Sequence, residues 1–213
     1  MRDRVMPAPG RDDRRRRPGQ LSKRTALAAI AAWVLTVPAL AAPLAPGFSP
    51  AQVGRVDRLL RLVQKRLEQA PKIAETRWKT MSRIEDSASE QAVIDAVRAR
   101  SVRLGIDTEL SAGFARAQLD AGKLIQTARH REWAADASLA PTRDTTANIF
   151  QASTPEPEFS AAMLRALDEA VTVLRRRGGR NLLDARAADL IHVGGPDLLA
   201  GQVALKPLYD LAN

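Results

Sequence analysis

Arg66 and Arg77 lie eleven residues apart. At about 100° per residue that is three helical turns with about 20° of drift, so a helix carrying both projects both guanidiniums from one face. Downstream, Asp86, Ser89 and Glu90 fall at i, i+3 and i+4, and Gln118, Gly122 and Gln126 fall at i, i+4 and i+8, with a gap between the two amides where glycine has no side chain. On helices each set shares one face. These groups carry charge and hydrogen bonds, and none is a candidate nucleophile. The chain has no cysteine, which closes thiol catalysis and Cys-based structural zinc. Two histidines, His130 and His192, argue against a histidine metal cluster or a Ser-His-Asp triad.

Each of these residues also has an ordinary role. Surface arginines are most often solvated or paired with acids, and a glutamine facing a bundle interior is commonly a satisfied core amide. Ser87-x-x-Glu90 ahead of Val93, Ile94 and Val97 reads as a capping box, in which serine and glutamate each satisfy an orphan backbone N–H.

The elements that must position these groups are helical. Hydrophobic residues make up 45% of the chain and aromatics 4%, with abundant Ala, Leu, Arg and Glu, a composition that leans to an all-α fold. Ser49-Pro50 gives a helix cap followed by proline at the first helical position. Apolar residues Val53, Val56, Leu59, Leu60, Val63, Leu67, Ile73, Ala74, Trp78 and Met81 then recur at three- and four-residue steps. They predict one long first helix, kinked where Pro71 removes the bond to Leu67. A second helix is expected from about Ser87 to Leu104, stopped by Gly105, and a third from about Asp107 to Trp133. Residues 136–158, with Pro141, Pro155 and Pro157, read as a loop. Three further helices are expected, from Phe159 to Arg177, about Asn181 to His192 and about Pro196 to Leu211, making about six in a helical bundle.

Residues 1–24 hold nine Lys and Arg against three Asp, so they carry six of the chain's nine net positive charges. The body is therefore only mildly basic, and nucleic acid is not an expected partner. The apolar run 25–41 (TALAAIAAWVLTVPALA) follows, ending in Ala39-Leu40-Ala41. Basic region, apolar region and small-x-small site predict a signal peptide over 1–41, cleaved near Ala41 or Ala42. The alternative reading is an uncleaved membrane anchor, for which the run is slightly short of the roughly 20 residues that span a bilayer. The expected organisation is a signal peptide, a linker over 42–48, a core over 49–135, the loop 136–158 and a C-terminal helical extension over 159–213. The expected location is the periplasm or the exterior, with membrane contact only through the signal peptide.

The segment RLEQAPKIAETRWKTMSRIEDSASEQAVIDA (66–96), followed by GID (105–107) and FARAQLDAGKLIQ (114–126), resembles the exported chorismate mutases, the gamma subclass of the all-helical type. The resemblance covers residues 58–133; from 155 to 213 only helix layout and length match. It implies isomerisation of chorismate to prephenate without metal or cofactor, and a possible homodimer with each site inside one chain. By resemblance, Arg66 grips a substrate carboxylate, Arg77 contacts a carboxylate and the ether oxygen, and Gln126 donates to that oxygen. Asp86 and Glu90 hold the ring hydroxyl, and Arg165 from the C-terminal half is the candidate for the second carboxylate.

This sequence departs from the family pattern in three places. Arg77 stands where lysine is usual, Ser89 where arginine is expected, and Gly122 where a small hydroxyl or amide side chain helps to bind a carboxylate. Ser89 and Gly122 keep open a second reading, a degenerate exported module that binds without catalysis. A third is a helical envelope protein whose polar residues are merely surface.

Overall fold

The computed structural model describes residues 47–142 and 161–212. The expected signal peptide, most of the linker, residues 143–158 of the expected loop and the start of the fourth helix at Phe159 lie outside the described residues. The described residues form six α-helices and no strand: α1 (Pro50–Thr80), α2 (Ser87–Leu104), α3 (Thr108–Ala135), α4 (Ala161–Leu174), α5 (Gly179–Leu190) and α6 (Leu198–Leu211), with a 3-10 turn at Gly195–Asp197 before α6.

The long first helix starts where its cap predicts. Ser49 Oγ accepts from the Gln52 N–H at 3.3 Å and Gln52 Oε1 accepts from the Ser49 N–H at 2.9 Å, a reciprocal capping box with Pro50 at the first helical position. The face carrying Val56, Leu59, Leu60, Val63, Leu67 and Ala74 is buried, and the helix continues across Pro71. It ends at Met81, a non-glycine residue in the left-handed region at φ 55°, with Ser82 N–H closing back on the Arg77 carbonyl at 2.9 Å.

The Gly-Ile-Asp corner between α2 and α3 has a direct physical account. Gly105 takes φ 70° and donates to the Ser101 and Val102 carbonyls, Ile106 is buried, and Asp107 Oδ1 accepts from the N–H groups of Glu109 and Leu110 at 3.0 Å. Glycine ends one helix, isoleucine anchors the corner and aspartate caps the next.

Helix α3 packs against both α1 and α2, whereas α1 and α2 scarcely touch each other. That gap is the origin of the site. Behind it, α4 buries Met163, Leu164, Leu167, Val171 and Leu174 against α1. Helix α5 is tied to α1 by Arg186, whose Nε and Nη2 donate to the two Asp57 carboxylate oxygens at 2.7 and 3.0 Å. Its start requires Gly179, because a Cβ there would collide with the Leu174 carbonyl. Helix α6 turns Ala200, Gly201, Ala204 and Leu208 inward and packs extensively on α3.

No helix among the described residues is long and apolar enough to cross a membrane. No group of three or more His, Asp or Glu side chains among them could hold a metal ion.

Candidate functional site

Between α1, α2 and α3 lies a cavity of about 1100 Å³, at the upper end of the range for small-molecule sites. Helix α1 contributes Arg66 and Arg77, as their eleven-residue spacing requires; both are half-buried. The turn and first coils of α2 contribute Asp86, Ser89 and Glu90, and α3 contributes Gly122 and Gln126. With Gln118, eight of the nine residues singled out in the sequence therefore meet in one cavity. Arg165 does not: it is exposed on α4 and lines no part of it. Met163 and Leu167 fix the buried face of α4, and a residue two positions past Met163 is rotated about 200° away from it, toward solvent.

The start of α2 differs from its expected cap. Asp86, not Ser87, is the N-cap: Asp86 Oδ1 accepts from the Ser89 N–H at 3.1 Å, and the Ser89 hydroxyl donates to Oδ2 at 2.7 Å. The Ser89 side-chain and backbone bonds, outweighing slight desolvation and helped by the Ala88 N–H and the Arg77 charge, hold the Asp86 carboxyl below its ordinary value. Arg77 donates from Nη1 to the Ile84 carbonyl, which braces the turn joining α1 to α2.

Glu90, released from capping, reaches across to α3. Lys123 Nζ donates to Glu90 Oε2 at 2.9 Å and lies 3.0 Å from Asp120 Oδ1. Burial by itself would lower the ammonium's pKa, but the hydrogen bonds and charges of these carboxylates more than offset it and raise the value above the ordinary one.

Among the charged residues that line the cavity, Arg83, Glu85, Arg100 and Lys123 escaped the sequence reading. A signal for Arg100 was present, since Glu90, Val93, Val97 and Arg100 share a sector of α2 about 80° wide. Lys123 follows the residue that drew attention, but only the approach of α2 reveals its partner. Among the described residues, five cations line the cavity (Arg66, Arg77, Arg83, Arg100 and Lys123) against the carboxylates of Glu85, Asp86 and Glu90, a surplus of two positive charges. The lining thus suits a small dianion.

The α3 wall supplies two buried amides. Gln118 is 2% exposed; its Nε2 donates to the Ala204 carbonyl of α6 at 2.8 Å, and its Oε1 has no hydrogen-bond partner among the described residues. Gln126 is 6% exposed, its Oε1 likewise lacks a partner, and its Nε2 borders the space left by Gly122. Buried amide groups without partners are costly, and here both belong to residues that face a cavity. Trp78 on α1 packs edge-on against His130 and Trp133 of α3 at 5.3 and 5.6 Å between ring centroids. His130 Nε2 is 2.9 Å from the Ala74 carbonyl; a carbonyl only accepts, so that nitrogen carries the proton. His130 thus joins α1 to α3 instead of standing solvated on a helix surface.

The fold has counterparts among solved structures. A chorismate mutase from Burkholderia thailandensis matches over 72% of this chain and 98% of its own, with 21% identity and a TM-score of 0.60. A chorismate mutase from Burkholderia phymatum matches over 74% and 98%, with 21% identity and a TM-score of 0.58. No protein-family model matches the chain, and no curated protein matches its sequence.

Proposed function

We propose that this chain is an isomerase that converts chorismate to prephenate. The observation that carries the reading is the convergence of Arg66, Arg77 and Gln126 with Asp86 and Glu90 on one cavity with a positive surplus. The likeness in fold to two chorismate mutases supports it.

The rearrangement is unimolecular. The ether C–O bond breaks while a C–C bond forms between the enolpyruvyl methylene and the ring, and no proton is gained or lost. Acceleration therefore comes from holding the compact conformer and stabilising the charge that develops on the ether oxygen. Arg66 and Arg77 hold the enolpyruvyl carboxylate, whose neighbouring carbon bears that oxygen, so Arg77 serves both. Gln126 donates an amide hydrogen to the same oxygen from a buried position. Glu90, oriented by Lys123, accepts from the ring hydroxyl, with Asp86 beside it at the α2 cap.

The test is the loss of chorismate absorbance with purified protein. Turnover abolished by Arg77→Ala is the expected result, and absence of turnover by the wild type overturns the reading. Substrate binding without turnover would instead favour the degenerate module, which Ser89 and Gly122 keep in view. Export rests on residues 1–41; the expected N-terminus of protein recovered from outside the cytoplasm lies near residue 42.

A further inference from the structure

Chorismate carries a ring carboxylate as well as the enolpyruvyl carboxylate, and the exposed Arg165 cannot serve it from the solvent face of α4. We propose that Arg100 binds the ring carboxylate, an assignment that rests on the isomerase reading above.

The argument is positional. Arg100 is half-buried on α2 and lines the cavity together with Val93, Val97 and Glu90 from the same sector of that helix. Ten residues separate Arg100 from Glu90, about 15 Å along the helix axis between backbones. In chorismate the ring hydroxyl and the ring carboxylate sit on opposite carbons of the six-membered ring. A substrate whose hydroxyl faces Glu90 therefore directs its ring carboxylate away from the start of α2, toward the end that Arg100 occupies. The guanidinium fork matches a carboxylate with two parallel hydrogen bonds.

The other cations fit less well. Lys123 lies at the hydroxyl end, held between Glu90 at 2.9 Å and Asp120 at 3.0 Å. Arg83 is exposed in the turn between α1 and α2, at the same end as Asp86. Arg100 is thus the cation of the α2 wall that faces the ring carboxylate.

The experiment compares wild type, Arg100→Ala and Arg100→Lys, with Arg103→Ala on the exposed side of α2 as control. Calorimetry measures Kd for two probes: prephenate, a dicarboxylate, and a monocarboxylate that keeps the pyruvyl side chain but lacks the ring carboxylate. Loss of one charged hydrogen-bonding partner should raise the prephenate Kd and the chorismate KM about ten- to a hundredfold in Arg100→Ala. The monocarboxylate Kd should stay unchanged, Arg100→Lys should recover part of the loss, and Arg103→Ala should match wild type. Should Arg100→Ala fail to fold, Arg100→Gln reads the same comparison. Equal weakening of both probes, or weakening of neither, overturns the assignment of Arg100 while wild-type turnover keeps the isomerase reading. A wild type that neither turns over chorismate nor binds prephenate overturns both.

Discussion

Lys123 on α3 and Glu90 on α2 meet at 2.9 Å on the cavity wall, each with its side chain a little over a quarter exposed, and Asp120 completes the ammonium's surroundings at 3.0 Å. The pair joins two walls of the site and fixes a carboxylate that would otherwise swing freely. Lys123→Met should cost about 1 kcal/mol of stability, the upper end for a partly exposed pair. It should also raise the chorismate KM more than it lowers kcat. Urea titration and steady-state kinetics read the two effects separately.

The same pair has a pH signature. The folded-state pKa of Lys123 is raised, so its contribution is fully present below the ordinary lysine value of 10.5 and is lost as pH rises beyond it. The stability difference between wild type and Lys123→Met, measured by urea midpoint, should be constant from pH 7 to 9 and shrink in strong alkali.

Asp86 behaves in the opposite sense. Its carboxyl is held below the ordinary value of 3.8, chiefly by the Ser89 hydroxyl and N–H. The stabilisation is present above that value and lost as pH falls through the lowered one. Ser89→Ala should therefore move the midpoint of acid unfolding upward. Ser89→Arg keeps the backbone bond at position 89 and adds a cation at the cavity, and under the proposed isomerisation a rise in kcat/KM is expected.

Gln126 does not titrate, so the proposed isomerisation should be flat with pH across the neutral range. Gln126→Glu replaces the donor by a carboxyl that donates only when protonated. Its kcat should fall by about 10²–10³ at neutral pH, the loss typical of one such donor, and recover toward acid. A flat profile in this variant would remove Gln126 from the ether oxygen.

Gly122 leaves usable space: a Cβ there would lie 3.7 Å from Gln126 Nε2, an ordinary contact. Gly122→Ala should raise stability by about 0.5–1 kcal/mol through helix propensity alone. Gly122→Ser puts a hydroxyl on the cavity wall, and a lower KM is the expected outcome in the absorbance assay.

Much of the scaffold was legible because its signals are local. The Ser49 cap, the buried face of α1 and the Gly105 stop each depend on near neighbours in the sequence, and each formed as the spacing requires. The range of α2 was read correctly, but its cap was misread for a tertiary reason. Asp86 and Ser87 are both capping residues, and Glu90 was drawn off by Lys123, thirty-three residues on. Arg165 was placed by layout alone in the half where the resemblance is weakest, although the period of Met163 and Leu167 already turns it outward. Arg100 is the converse case, with a face that was readable but a cavity opposite it that is not local information.

The hydrogen bond from Gln118 to Ala204 spans 86 positions of the chain at 2.8 Å. The acceptor is a main-chain oxygen, which every amino acid supplies equally. Position 204 can therefore drift among residues small enough for the α3 contact while still aiming the amide. Replacing Gln118 by leucine removes that tether while the Ala204 carbonyl keeps its place in the α6 ladder, a loss of about 0.5–1.5 kcal/mol. The far end of the protein thus steers the wall of the site through its backbone.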